Sequence, residues 1–136
     1  MKETDQENIT DLTMNLFKEQ MGVDIKTSDI DRVHRTGRKD ISGKIRPVLV
    51  KFATYRARAA VYRAKARLKG NHLHDIFVNE DLTKVRSQLL FTARQMKKTK
   101  KIADCWTFDG RIFLKTNSNI VKSVTNEEDL QNASSA

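Results

Sequence analysis

Cysteine is nearly absent from this chain of 136 residues. Cys105 stands alone, which excludes a disulfide framework and a cysteine-rich metal site. Long hydrophobic runs are missing, and nothing approaches the roughly 18 apolar residues that a membrane span requires. The N-terminus "MKETDQENIT" is polar and acidic, with no visible signal peptide. These absences fit an intracellular, reducing compartment, cytoplasmic or nuclear, and give no reason to expect a membrane partner.

Acid is scarcest in the middle of the chain. Between Arg32 and Lys69 there are thirteen bases and one acid, Asp40. Within that span, "YRARAAVYRAKARLKG" (55–70) has six bases, two tyrosines and no acid. Lys84 to Lys101 adds seven bases and again no acid, whereas Met1 to Asp31 has eight acids against three bases. A merely soluble surface would mix the signs. With a net charge of +9 and a pI near 9.9, the segregation resembles the footprint of a polyanion-binding protein.

Catalytic constellations are also lacking. "GRKDISGK" (37–44) departs from a phosphate-binding P-loop. It has five residues between its glycines instead of four, Ile45 where Ser or Thr is needed, and no strand–loop–helix context. His72 and His74 lie beside a Gly-Asn turn without further ligands, and a solvated loop is the simpler reading. No carboxylate cluster suits a metal-dependent nuclease. The expectation is a non-enzyme with no cofactor and no metal.

Periodicity predicts α+β architecture. "NITDLTMNLFKEQMG" reads as a helix, with Ile9, Leu12, Leu16 and Phe17 on one side, Asn8 as its cap and Gly22 as its stop. "IDRVHRTG" reads as extended, "GRKDISGKIRP" as a flexible basic loop, and "PVLVKFA" as the clearest strand, with Val48, Val50 and Phe52 facing the core. A helix follows from Thr54 to Lys69. Its apolar stripe is Ala57, Val61, Ala64 and Leu68. Arg56, Arg63 and Arg67 flank the stripe on one side, and Arg58, Lys65 and Lys69 on the other. The first row is favoured as the binding row, because guanidinium forks engage phosphate bidentately. Lys and Arg commonly flank a core stripe with solvated heads, so the collective excess carries more weight than any single base. For Tyr55 and Tyr62 packing and base stacking both stay open, with packing favoured.

"DIFVNE" (75–80) reads as a short strand. Glu80 and Asp81 are expected to cap the next helix, whose stripe is Leu82, Val85, Leu89, Ala93 and Met96. "ADCWTFDGRIFLKT" reads as a hairpin turning at Asp109-Gly110, with Trp106 and Cys105 in its core. Thr125 and Glu128 offer a capping box for a short last helix, after which "LQNASSA" should fray. The order is αββαβ followed by αββα, two small units joined near Asn79 to Asp81.

This order of motifs resembles a known family. "IDRVHRTGR" and "IRPVLVKFATYRARAAVYRAKARLKG" resemble the RRM-like domain of first-open-reading-frame proteins from LINE-type retrotransposons. "IFVNEDLTKVRSQLLFTARQMKK" with "ADCWTFDGRIFLK" resembles their C-terminal domain and is similar to the C-terminal domain of the baculovirus few-polyhedra (FP) protein. The likeness spans about Ile30 to Leu130. It implies a partial RRM-like basic domain over 1–79 and an FP-like C-terminal domain over 80–130, and the fraying end leaves a disordered tail over 131–136. It implies RNA and single-strand binding with nucleic-acid chaperone behaviour, carried by Arg32, Arg35, Arg46 and Lys51, and by Arg86 and Arg94 in the later helix. Arg38, Lys44 and Lys97 join these on charge, as do Arg56, Arg63 and Arg67. The C-terminal unit is expected to form the other wall of a binding cleft.

The chain departs from the pattern in lacking a strand before the first helix, the aromatic stacking residues of the usual RNA-binding strand and a heptad-bearing coiled coil. A missing first strand would leave a sheet edge open to self-association. The rival reading is an FP-type protein-interaction or viral structural module whose basic surface meets an acidic partner.

Overall fold

The structure is a computed structural model that describes residues 1–39, 43–70 and 75–134. It is α+β, with four α-helices and two small antiparallel sheets of two and three strands. The chain divides into two compact units, Met1–Asn79 and Glu80–Ala136.

In the first unit, α1 (Ile9–Asn15) starts at Asn8, whose side chain accepts the Asp11 amide at 3.1 Å. The helix does not continue regularly to Gly22. It widens into a π-helical turn over Leu16–Gln20. A π turn shifts the phase of the faces. The buried set becomes Thr13, Met14, Leu16, Phe17 and Met21, while Leu12, expected in the stripe, is exposed. Gly22 ends the segment at φ +66°, where an added Cβ would come within 2.9 Å of the Arg67 guanidinium.

β1 (Ile30–Arg35) and β2 (Val48–Phe52) form the two-stranded antiparallel sheet. Ile30, Val50 and Phe52 pack against the core, and Phe52 stacks on Phe17 with ring centroids 5.9 Å apart. The expected helix at Thr54 divides in two. α2 (Tyr55–Arg63) is capped by the Thr54 hydroxyl and then tightens into a 3-10 segment, Ala64–Gly70. The expected stripe of Ala57, Val61, Ala64 and Leu68 is buried throughout.

No strand occurs at "DIFVNE" among the described residues. Ile76 and Val78 still pack on the core and Phe77 points outward, so the alternation of a strand is present without a ladder. A strand requires a neighbour to bond, and among the described residues β1 and β2 pair only with each other. The described order of the unit is therefore αββα, not αββαβ.

In the second unit, α3 (Lys84–Lys98) is capped by Thr83, whose hydroxyl accepts the Arg86 amide at 3.3 Å. Glu80 does not cap it; its carboxylate accepts the Gly110 amide in the hairpin turn. The buried face of α3 is Leu89, Leu90, Ala93 and Met96, with Val85 turned out at 65% exposure.

β3 (Asp104–Phe108) and β4 (Arg111–Lys115) form the expected hairpin. Asp109 (φ +52°) and Gly110 (φ +75°) both occupy the left-handed region that a type I′ turn demands. A third strand, β5 (Val121–Val124), was not foreseen. α4 (Glu127–Ser134) is capped one residue later than expected. Asn126 accepts the Asp129 amide at 2.9 Å, and the Asp129 carboxylate reaches back to the Thr125 amide and hydroxyl. The helix runs to Ser134 with Leu130 and Ala133 buried, so residues 131–134 belong to the fold and not to a frayed tail. Ile112, Leu114, Val124 and Leu130 join the α3 residues in one core.

Candidate nucleic-acid interface

Strand alternation sorts the basic residues of β1 and β2. Arg32 pairs with Lys51 and His34 with Leu49 on one face, whereas Val33 pairs with Val50 and Arg35 with Val48 on the other. Arg32 and Lys51 are thus direct cross-strand neighbours, both exposed. Like charges set opposite each other are destabilising. Lys51 eases this only weakly, through a solvated contact of 3.3 Å with Asp31. Arg35 points the other way, toward the valines, and its side chain is only 5% exposed.

The acidic N-terminal arm supplies the partners that Arg35 needs. Glu7, itself 10% exposed, takes a two-pronged bond from Arg35 at 2.8 and 3.0 Å. The same guanidinium donates to the carbonyls of Met1 (3.0 Å) and Arg46 (2.8 Å). Glu3 accepts from Arg46, whose Nη1 also donates to the Gly37 carbonyl at 3.0 Å. Asp5 pairs with Lys39. Each arm carboxylate is held below its ordinary pKa, chiefly by the hydrogen bond from its partner: Arg46 for Glu3, Lys39 for Asp5 and Arg35 for Glu7. Arg35, Lys39 and Arg46 are raised reciprocally. Arg35 and Arg46, expected to meet phosphate, therefore meet carboxylate. Arg38 and Lys44 remain exposed on either side of the undescribed residues 40–42, which include the middle of "GRKDISGK".

On α2 the buried stripe turns the bases outward. Arg56, Arg63, Lys65 and Lys69 are exposed, and Arg63 bonds back to the Ala59 carbonyl at 3.3 Å. Arg58 lies over the Tyr55 ring at 5.1 Å, and Lys65 over the Tyr62 ring at 3.9 Å. Arg67 departs from its expected row. Its guanidinium donates to the Met21 carbonyl and closes the end of the first helical segment. Two of the three arginines in the favoured row thus remain at the surface without that structural task.

In the second unit Arg86 donates to the Gly110 carbonyl at 2.9 Å, so it pins the hairpin turn from one side while Glu80 pins it from the other. Lys97 bridges to Asp104 at 2.8 Å, and that bond lowers the Asp104 pKa. Arg94 is exposed. Cys105 packs against the core, and burial pushes its thiol pKa up. His72 and His74 lie outside the described residues. No group of three or more His, Cys, Asp or Glu gathers to hold a metal among the described residues.

Trp106 corrects the sequence reading. It belongs to the outer face of the β3–β4–β5 sheet, 37% exposed, and not to the hairpin core. Its ring stacks on Phe113 across the strand pair, with centroids 6.2 Å apart and planes 15° from parallel. The alternation that buries Ile112 and Leu114 sends Phe113 and Trp106 outward. The arm carboxylates were also missed as partners, although the acid-rich N-terminus was visible as a signal. No helix among the described residues is long and apolar enough to cross a membrane. Comparison with known proteins gave no match: no family model, no curated protein and no solved structure aligns with the chain.

Proposed function

We propose that this protein binds RNA or other single-stranded nucleic acid with little sequence preference, through its phosphates. The observation that carries the reading is α2 with its 3-10 continuation. One side is locked into the core, and the other presents Arg56, Arg63, Lys65 and Lys69 in a segment that has no acid. The exposed Arg32–Lys51 pair supports it, because two adjacent cations on an open face favour an anion between them. Phosphate contacts of this kind give affinity and register without reading sequence.

The resemblance of "NEDLT" and "WTFDGRIFLK" to retrotransposon first-open-reading-frame proteins supports the same partner. It extends the proposal to nucleic-acid chaperone activity and to descent from such an element. The proposal carries with it a cytoplasmic or nuclear location, where RNA is met. The test is a salt series of binding to single-stranded RNA, duplex DNA and heparin. Affinity for RNA should fall with log[salt] by about 0.7 log units per neutralised phosphate. No RNA binding at about 50 mM salt, where such contacts are strongest, would refute the proposal and favour an acidic protein partner.

A further inference from the structure

Among the described residues, no element of its own unit covers the outer face of the β3–β4–β5 sheet, since α3 and α4 pack with the buried Ile112, Leu114 and Val124 on the inner face. Cross-strand pairing sets its composition. Trp106 lies opposite Phe113, Phe108 opposite Arg111, and Asp104 opposite Lys115. Phe108 is 60% exposed and Arg111 is exposed. Of the ionised groups on this face, Asp104 is bonded by Lys97 and also lies opposite Lys115, whose charge it feels, whereas Arg111 carries no ion pair among the described residues. Three aromatic rings thus sit between two cations on one small antiparallel sheet.

We infer that this face stacks unpaired bases, with Trp106 and Phe108 as platforms and Arg111 and Lys115 on the adjoining phosphates. The inference extends the proposed function from phosphates to bases and rests on it. Residues two apart on a strand are displaced by about 6.8 Å, roughly twice the 3.4 Å step between stacked bases. The spacing of Trp106 and Phe108 therefore suits successive bases of a strand drawn out until its bases no longer stack on one another and each can stack on a ring. Every base offers a π-face, so aromatic platforms hold single strands without choosing sequence. Duplex nucleic acid keeps its bases stacked internally and offers this face only phosphates. The face carries two cations against one acid, Asp104, which Lys97 already engages, and this excess makes a polyanion the complementary occupant. An apolar protein surface would leave Arg111 without a partner.

Trp106 is the sole tryptophan, so its emission reports on this face alone. The full chain is titrated with a short fluorescein-labelled oligouridine and with an abasic oligomer of the same length. Anisotropy reads binding, and tryptophan emission reads stacking. The expected result is binding of both oligomers, with quenching of Trp106 by oligouridine only. Phe108→Ala alters an exposed ring and should leave the fold intact. It should weaken oligouridine binding at least about 5-fold, the lower end of what one stacked base contributes, and leave abasic binding unchanged. Trp106→Leu, checked by circular dichroism, should do the same to binding.

Binding without quenching, or equal quenching by the abasic oligomer, overturns base stacking and leaves the phosphate reading in place. No binding of either oligomer overturns both. Emission that shifts with protein concentration alone overturns it in favour of a second copy of the chain covering the sheet.

Discussion

Neutralising the N-terminal arm should strengthen RNA binding and steepen its salt dependence. The perturbation is Glu3→Gln, Asp5→Asn and Glu7→Gln together, which keeps side-chain size and hydrogen-bonding capacity while removing three charges. In the intact protein those carboxylates occupy Arg46, Lys39 and Arg35. They act as tethered counterions. While those carboxylates hold the three cations, the cations neutralise no phosphate. In the variant they can meet phosphates, and each phosphate so neutralised releases counterion condensed on the RNA.

Each recruited phosphate then adds about 0.7 to the magnitude of the slope of log K against log[salt]. Lys39 and Arg46 give a lower figure of about 1.4, and Arg35 brings it to about 2. Arg35 counts fully only if it lets go of the Met1 and Arg46 carbonyls. At about 0.1 M salt that is a gain of up to a hundredfold in affinity. Net charge alone rises from +9 to +12, so a control is needed. Glu19→Gln, Asp24→Asn and Asp81→Asn remove the same charge from exposed positions that make no ion pair with Arg35, Lys39 or Arg46. Fluorescence anisotropy across a salt series measures both triples. Equal steepening in the two triples would refute the arm as the cause, and no steepening in the arm triple would refute the occupation of these cations altogether.

The remaining predictions concern pH, the α2 bases and the second core. The arm carboxylates have depressed pKa values in the folded state, so their contribution to docking is complete above the ordinary carboxylate range near 4 and is lost as pH falls below it. Carboxyl NMR titration should place Glu3, Asp5 and Glu7 each below the ordinary value for its residue type, and midpoints at those ordinary values would contradict the ion pairs. Arg56→Gln/Arg63→Gln should lower the RNA salt slope by about 1 to 2, and Arg67→Gln should leave the slope alone while reducing stability; the reverse pattern would return Arg67 to the binding row. Leu130→Ala should destabilise the second unit by about 2 to 5 kcal/mol, read by urea unfolding through Trp106 emission; a change of a few tenths would mean that α4 is not packed.

Local rules carried the fold where one segment decides its own conformation. The Asp109-Gly110 turn, the Thr54 helix start and the Ala57–Val61–Ala64–Leu68 stripe depend on residues within a few positions of one another. The rules failed where a distant neighbour decides. "DIFVNE" alternates like a strand, but no described segment lies beside it to complete a ladder. β5 carries only two apolar residues, Val121 and Val124, and depends on the turn in which the Thr116 hydroxyl accepts the Ile120 amide at 3.1 Å. The π turn at Leu16–Gln20 inserts a phase shift that a fixed 100° step cannot anticipate. At α4, three consecutive acids followed Asn126, and the acid that closes the cap was Asp129, not Glu128.

The candidate site was legible as charge and illegible as partnership. Arg32 and Arg35 are three residues apart in the same basic strand, and composition treats them alike. The pleat puts Arg32 on the open face beside Lys51 and Arg35 on the valine side, against Glu7. Arg63 and Arg67 sit one turn apart on the sequence wheel, yet only Arg67 meets a helix end that exposes a carbonyl at Met21. The same limit applies to Trp106. An alternating hairpin has two faces, and the pattern Cys105-Trp106-Thr107-Phe108 against Arg111-Ile112-Phe113-Leu114 shows which residues share a face but not which face a helix will cover. The aliphatic face, with Ile112 and Leu114, took the helices, and the aromatic face was left to solvent. Bulky rings that fold without cover, beside more cations than carboxylates, are what a single strand of nucleic acid can engage from both its bases and its phosphates.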